Sequence, residues 1–410
     1  MLKEESERYA MVISENMADL VKNSSAIRAL FEEGKAMAKV VGAENVYDFS
    51  LGNPSIPAPL SIKAAILDIL DNEDSRYVHG YMSNAGYESV RQAVADDLNE
   101  KYGAAYDMDD IVMTVGAAGG LNCVLRALLN ENDEVICFAP FFGEYRSYTS
   151  NFKGKLVVVP ADTKDFQLNL EALPTLITER TKVLIINNPN NPSGVIYSAE
   201  TLKRLQSVLE EAERKIGHPI YVVSDEPYRE LVYDGNTVPF MPGIIKNCVI
   251  CYSFSKSLSL PGERIGYLAL SKNMDAYDEL QPALVVANRC LGFVNAPSLM
   301  QLAVSKCLKE KTDVAAYDKN RKLLYNRLTA LGFDCVKPQG AFYLFVKSPL
   351  ENEAEFVSAA KKYHLLLVGA SSFGCPGYVR IAYCVAYDMI EKSLPAFEAL
   401  AREMGLCLGK

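Results

Sequence analysis

From residue 111 onward the chain carries short, continuously apolar runs: IVMTV at 111–115, EVICF at 134–138, LVVV at 156–159, KVLII at 182–186, IYVVS at 220–224, CVICYS at 248–253 and IGYLAL at 265–270. Strands wetted on one face alternate apolar and polar residues. Unbroken apolar runs suit strands buried on both faces of a mainly parallel sheet. Between them lie amphipathic stretches, clearest in GLNCVLRALLN and LKRLQSVLEEAERK. The second stacks Leu202, Leu205, Val208, Leu209 and Ala212 on one side at helical spacing. Strand–helix alternation of this kind predicts an α/β fold: a three-layer α/β/α large domain on a mostly parallel seven-stranded sheet. After about residue 290 the rhythm turns helix-first, with FYLFV, LLLV and YVRIAY set among helices, which predicts a smaller α+β domain. Residues 1–45 read as helical through the spacing in SSAIRALFEEGKAMAKVVG. The expected division is an amino-terminal arm at 1–49 contributing to the small domain, a large domain at 50–285 and a small domain at 286–410.

Composition narrows the partners. The 410 residues hold 42 Lys+Arg against 51 Asp+Glu, a formal charge of -9, with no basic tract to follow a phosphate backbone, so nucleic-acid binding is not expected. No apolar run approaches the roughly 18 residues of a membrane span, and MLKEESERYA does not build a signal peptide. Ten cysteines scattered through apolar segments of so long a chain point to the cytoplasm. One CxxC, Cys248 to Cys251, falls in a strand, where residues three apart face opposite sides, and His79, His218 and His364 are isolated. No metal site is expected.

Open α/β sheets bind ligands beyond the carboxyl ends of their strands. The residues that follow the runs are unusual. IVMTV leads into Gly116-Ala117-Ala118-Gly119-Gly120 and a helix, where free backbone N–H groups suit a phosphate. EVICF is followed by Phe141 and Phe142, KVLII by the amide-rich turn from Asn187 through Asn191 to Gly194, and IYVVS by Asp225 and Tyr228. CVICYS ends in Ser253 and is followed by Ser255 and Lys256, with Arg264 eight residues on. Each has an ordinary reading as turn or cap chemistry. Together, in strand order, they outline a site for a phosphorylated aromatic aldehyde.

The segments NNPNNPSG, SDEPYREL and SFSKSLSLPGERIGY, with DFSLGNPS before them and YVRIAY after, resemble the class I/II pyridoxal-phosphate aminotransferases of the aspartate aminotransferase fold, fold type I. The resemblance spans roughly residues 25–400. It implies pyridoxal 5'-phosphate as cofactor and Lys256 as the residue that forms a Schiff base with it and moves the proton. It further implies that Asp225 pairs with the pyridine nitrogen, that Asn191 and Tyr228 hydrogen-bond the phenolic oxygen, and that Phe142 stacks on the ring. The family often has Trp or Tyr at that place, and this chain has no tryptophan. Arg264, Ser253, Ser255 and the N–H groups of Ala117 and Ala118 are implied to hold the phosphate, alanines standing where the family often has a hydroxyl. Arg380 is implied to grip the substrate α-carboxylate, with Gly52 and Asn53 beside it. Tyr81, in YMSNAG, matches the tyrosine that reaches the phosphate of a neighbouring subunit, so a homodimer with shared sites is implied. Arg289, in NRCLGFVNAPS, stands near the place of the distal arginine of dicarboxylate-specific members, with Cys290 at that place if the alignment slips by one residue. A surface arginine is the other reading.

The implied reaction moves the α-amino group of an L-amino acid to a 2-oxo acid by a ping-pong mechanism, with aspartate or glutamate as favoured donor if Arg289 faces the site and aromatic or neutral aliphatic donors equally open if it does not. A β C–S lyase or an aminocyclopropane-carboxylate-synthase-like lyase of the same fold shares these motifs and stays open. An aminotransferase-like regulator would need a DNA-binding module, and the residues before LGNPS show no basic winged-helix pattern.

Overall fold

All seven apolar runs form strands of one sheet in the computed structural model, which describes residues 12–22 and 26–406. In chain order these are β2 (Ile111–Thr114), β3 (Glu134–Phe138), β4 (Lys155–Val159), β5 (Thr181–Asn187), β6 (Tyr221–Asp225), β7 (Cys248–Ser253) and β8 (Gly266–Leu270); β1 (Tyr47–Asp48) precedes them. The spatial order is β2-β8-β7-β6-β5-β3-β4. Only β8 runs antiparallel to its neighbours, β2 and β7. β4 departs from the expected burial: it is an edge strand and three of its five residues are only half-buried, because nothing pairs with its outer side.

Both faces are covered. On one, Val112, Val223, Val249 and Leu268 meet the helices Gly116–Leu128 and Tyr277–Cys290. On the other, Leu184 and Val222 meet the helix Ala199–Ile216 through the predicted stripe of Leu202, Leu205, Val208, Leu209 and Ala212. That helix is capped as its sequence dictates. Ser198 accepts a hydrogen bond from the Thr201 N–H at 3.0 Å, and Gly217 ends it at φ 80°. Cys248 and Cys251 lie in different clusters on opposite faces, and no group of metal-ligating side chains occurs among the described residues.

The later strands are β9 (Cys335–Val336), β10 (Tyr343–Lys347), β11 (Leu365–Leu366), β12 (Val368–Gly369) and β13 (Tyr378–Ala382). A second, antiparallel sheet has the order β12-β13-β10-β9. The run LLLV does not make one strand. Its first half, β11, pairs in parallel with β1, and its end, β12, joins the second sheet. Helices cover residues 15–22 and 26–41 of the stretch expected to be helical, whereas residues 1–11 and 23–25 lie outside the described residues. Residue 285 falls inside the helix Tyr277–Cys290, whose Leu280, Leu284 and Ala287 pack on the first sheet. Ala296, Met300, Leu302 and Cys307 also pack with first-sheet residues, among them Ile111 and Met113. No helix among the described residues is long and apolar enough to cross a membrane.

Gly266 lets β8 cross close to the glycine loop. A Cβ there would collide with the Tyr252 carbonyl oxygen and lie 3.1 Å from the Gly116 Cα. Gly266→Ala should therefore cost at least about 1–3 kcal/mol, the usual cost of overpacking. Its thermal midpoint should fall clearly below that of Gly262→Ala, where a Cβ meets open space.

Candidate active site

Register brings the carboxyl ends of the central strands together: Asn187 on β5 lies opposite Asp225 on β6, and Asp225 opposite Cys251 on β7. Beyond these ends a cleft of about 300 Å³ opens between the two sheets. Gly52, Ala117, Ala118, Phe142, Asn191, Asp225, Tyr228, Ser253, Ser255, Lys256, Arg264 and Arg380 all line it. These are twelve of the positions singled out from the sequence, drawn from eight separate stretches of chain.

Lys256 stands in the helical turn Phe254–Ser257 directly after β7, and its Nζ donates to the Gly52 carbonyl at 2.6 Å. Burial pushes its ammonium down to about 8. The nearby Cys384 thiol opposes the shift, and the positive charges of Arg264 and Arg380 add to it. Asp225 is buried, and its Oδ2 accepts from the Tyr145 hydroxyl at 2.6 Å and from Asn187 Nδ2 at 3.3 Å. Its Oδ1 has no partner. Burial pushes this carboxyl up to about 7 against the pull of the Tyr145 hydrogen bond, and the charge of Glu226 adds to the rise.

Arg380, on β13, is 2% exposed. Its Nη1 donates to Asn191 Oδ1 at 3.2 Å and its Nη2 to the Ser50 carbonyl at 2.5 Å. The rings of Tyr343 and Phe373 lie 4.6 and 5.0 Å from its guanidinium carbon. Nε is unpartnered, and no carboxylate among the described residues pairs with the side chain. A buried guanidinium held only by neutral groups is a site for an anion.

At the opposite wall the helix Gly116–Leu128 starts without a side-chain cap, leaving its first N–H groups to the cleft. Ser253 and Ser255 share a hydroxyl–hydroxyl hydrogen bond of 2.8 Å, and Arg264 Nη1 donates to the Pro261 carbonyl at 2.9 Å. Gly116, at φ 74°, admits the guanidinium: a Cβ there would lie 3.0 Å from Arg264 Nη2. The half-buried Phe142 meets Tyr145 edge-on at 5.7 Å and lines the cleft between the two walls.

Pyridoxal 5'-phosphate fits these groups. The orphaned Oδ1 of Asp225 is the partner a protonated pyridine nitrogen requires, and the uncapped helix start with two hydroxyls and a guanidinium has the chemistry of a phosphate cradle.

Three of the positions read from the sequence are not brought into the cleft of this chain. Tyr81 is 93% exposed, Asn53 is exposed beside Gly52, and Arg289 is exposed near the end of its helix, as is Cys290. Conversely, the cleft wall includes Leu121, Tyr148, Asn187, Pro227, Pro261 and Tyr343, and Tyr145 stands behind it. Asn187 was visible only as one amide of a run. Tyr145 could be suspected from its place three residues after Phe142, whereas Tyr343 lies in a strand that reads as core.

Residues 43–396 match the family model for aminotransferase class I and II. The aspartate aminotransferase of Pyrococcus abyssi is 30% identical, over 97% of this chain and all of that one. The aromatic-amino-acid aminotransferase 2 of Thermococcus litoralis is 29% identical, over 94% and 97%. Among solved structures, an amino transferase from Eubacterium rectale is 48% identical with a TM-score of 0.93, covering 96% of this chain and 99% of that one. The aspartate aminotransferase of Thermotoga maritima reaches a TM-score of 0.84 at 27% identity, covering 95% and 100%. Such a fold and site define a pyridoxal-phosphate-dependent enzyme of fold type I. The chain belongs to the class I and II aminotransferases. It is an aminotransferase with pyridoxal 5'-phosphate as cofactor, and the relatives named here are transferases rather than lyases or regulators.

The raised carboxyl of Asp225 has a signature in cofactor-free protein. Its folded value, about 7, lies above its ordinary 3.8, so the stability of the neutral carboxyl is complete below about pH 4. That stability drains away as the pH rises to about 7. Asp225→Asn cannot ionise and keeps an acceptor for Tyr145. The thermal midpoint of the cofactor-free variant, relative to wild type, should climb between pH 4 and pH 7 and then level. A constant difference across that range would contradict the assignment.

Proposed function

We propose that the cleft transfers the α-amino group of an L-amino acid to a 2-oxo acid, with aspartate or an aromatic amino acid as the favoured donor. The observation that carries this reading is the buried Arg380, without a carboxylate partner, in the wall of the same cleft as Lys256. A planar guanidinium receives a carboxylate through two parallel N–H donors, which fixes the substrate α-carbon relative to the lysine.

The cofactor supplies an electron sink for the electron pair left when the substrate α-carbon loses its proton. Asp225, through its free Oδ1, would hold the proton on the pyridine nitrogen. Asn191 and Tyr228 would donate to the phenolic oxygen, and Phe142 would cover the ring face. Ala117 and Ala118 N–H, Ser253, Ser255 and Arg264 would hold the phosphate. Lys256 carries the cofactor and, as the neutral amine that burial favours above about pH 8, takes the α-proton and returns it. Gly52 fixes the lysine through its carbonyl and lines the cleft that would receive the carboxylate. One carboxylate clamp serves donor and acceptor alike, so the first product leaves before the second substrate enters. That order is ping-pong.

The shared-site homodimer belongs to this proposal. Tyr81 is supported as a residue for a partner's cleft by its near-complete exposure, and the exposed Leu60, Leu67 and Leu70 supply apolar surface for an interface. Arg289, exposed on the same chain, is proposed to reach the partner's substrate side chain. The aspartate and aromatic preferences rest on the names of the relatives from Pyrococcus abyssi and Thermococcus litoralis. The smaller domain is proposed to begin after Leu308, the last residue of this stretch to pack with the first-sheet cluster, and to include the arm up to residue 49 through the β1–β11 pair. Nine described cysteines, all free, support a reducing, cytoplasmic setting.

Lys256→Ala should lose the visible absorption of lysine-bound cofactor and about 10²–10⁴-fold or more of turnover. Retained turnover would overturn its role. Arg380→Lys should keep that absorption while kcat/KM falls about 10–100-fold, the loss of one or two charged hydrogen bonds.

Donor preference is read from kcat/KM for aspartate, tyrosine, alanine and methionine with 2-oxoglutarate. Aspartate or tyrosine should lead the others by at least tenfold, and equal values would remove the preference. Parallel double-reciprocal plots are expected for the ping-pong order.

A further inference from the structure

Tyr343 belongs to none of the motifs that carry the family resemblance, yet three groups of the cleft converge on it. Its hydroxyl lies 2.9 Å from the Tyr228 hydroxyl, and its ring lies 4.6 Å from the guanidinium carbon of Arg380. The same hydroxyl fills the space a side chain at residue 52 would need, so Gly52, the acceptor of Lys256, must be glycine there. Sheet register accounts for the placement. β10 and β13 are antiparallel with Phe345 opposite Arg380 and Tyr343 opposite Ala382, which makes Tyr343 and Arg380 diagonal neighbours on one face.

We propose that Tyr343 is a positioning residue with two separable parts: its hydroxyl turns the Tyr228 proton toward the cleft, and its ring holds the Arg380 guanidinium in place for a carboxylate. This rests on the roles proposed above for Tyr228 and Arg380. Two phenols at 2.9 Å share one hydrogen bond but own two protons, so one hydroxyl must donate and the other keeps a proton to spend elsewhere. Both residues are buried, at 6% and 2% exposure, and both line the cleft. An electron-rich oxygen in the cleft selects the order in which Tyr343 donates to Tyr228 and Tyr228 donates outward. A donor that itself accepts a hydrogen bond is the stronger donor. On the other side the ring face of Tyr343, with Phe373 at 5.0 Å, steadies a guanidinium that has only neutral hydrogen-bond acceptors.

The two parts separate in two variants of the cofactor-loaded enzyme. Tyr343→Phe keeps the ring and removes the hydroxyl. The pH midpoint of the visible absorption of lysine-bound cofactor should rise by at least half a unit, while KM for the amino donor stays within twofold. Tyr343→Leu removes both, and should add a tenfold or larger rise in KM and in the dissociation constant of a non-reactive carboxylate such as 3-phenylpropionate or succinate. Tyr228→Phe serves as the reference. It should shift the midpoint by itself, and adding Tyr343→Phe to it should shift it no further, since the hydroxyl acts only through Tyr228. A shift in Tyr228→Phe with none in Tyr343→Phe overturns the hydroxyl role alone. No shift in Tyr228→Phe overturns both that role and the reading of Tyr228. Carboxylate affinity unchanged in Tyr343→Leu overturns the ring role, and unchanged affinity in Arg380→Lys as well would overturn the reading of Arg380.

Discussion

Charge buried at a seam between two sheets governs this molecule. Asp225 sits at the end of β6 with one carboxylate oxygen held and the other bare. Arg380 lies nearly inaccessible on β13 with no counter-ion among the described residues, and Lys256 donates only to a carbonyl. Each arrangement costs free energy, since charge withdrawn from water is expensive unless it is paired. The folded protein sustains the cost because the surrounding core is large. Five clusters of buried apolar side chains surround the two sheets, and the cleft is the place where their packing is interrupted. The unsatisfied groups are complementary to an anionic cofactor with a basic nitrogen and to a substrate carboxylate, so the cost returns as binding energy and preorganisation.

How the charges are held follows from strand ends and one short segment. Parallel pairing aligns the ends of β5, β6 and β7, so the residues after each run face a common opening. The turn after β6 is clamped by a buried ion pair, Arg229 Nη1 to Glu226 Oε2 at 2.8 Å, which fixes the stretch between Asp225 and Tyr228. Residues 47–52 then tie the second sheet to the first. β1 pairs with β11, the Ser50 carbonyl takes Arg380, and the Gly52 carbonyl takes Lys256. Asp48 in turn accepts from both the N–H and the hydroxyl of Ser50. A disturbance of this segment would reach the clamp and the lysine together.

Much of this was legible in the chain alone. Continuous apolar runs announced doubly covered strands, and the stripe from Leu202 to Ala212 announced a helix on one face, because burial imposes those periods on the sequence. The loop residues were legible through their order: strand, then phosphate-type loop, amide turn, acid and lysine. The misses share a physical cause. β4 read as a strand buried on both faces because its composition is apolar, but its place at the sheet edge is a property of the whole topology. LLLV read as one strand because hydrophobicity does not state which neighbour each residue will find. Tyr145 and Tyr343 were not singled out, since the partners of their hydroxyls lie 80 and 115 residues away in the chain.

The sequence by itself determined the layers, the family and the chemical identity of the residues at the strand ends, because burial periodicity and motif order are local properties of the chain. Tertiary structure decided strand order, the lone antiparallel β8, the bare oxygen of Asp225, the unpaired guanidinium and the meeting of Tyr343 with Tyr228 and Arg380. Whether a polar atom is satisfied depends on which distant segments arrive beside it. That is settled only when the two sheets close on each other.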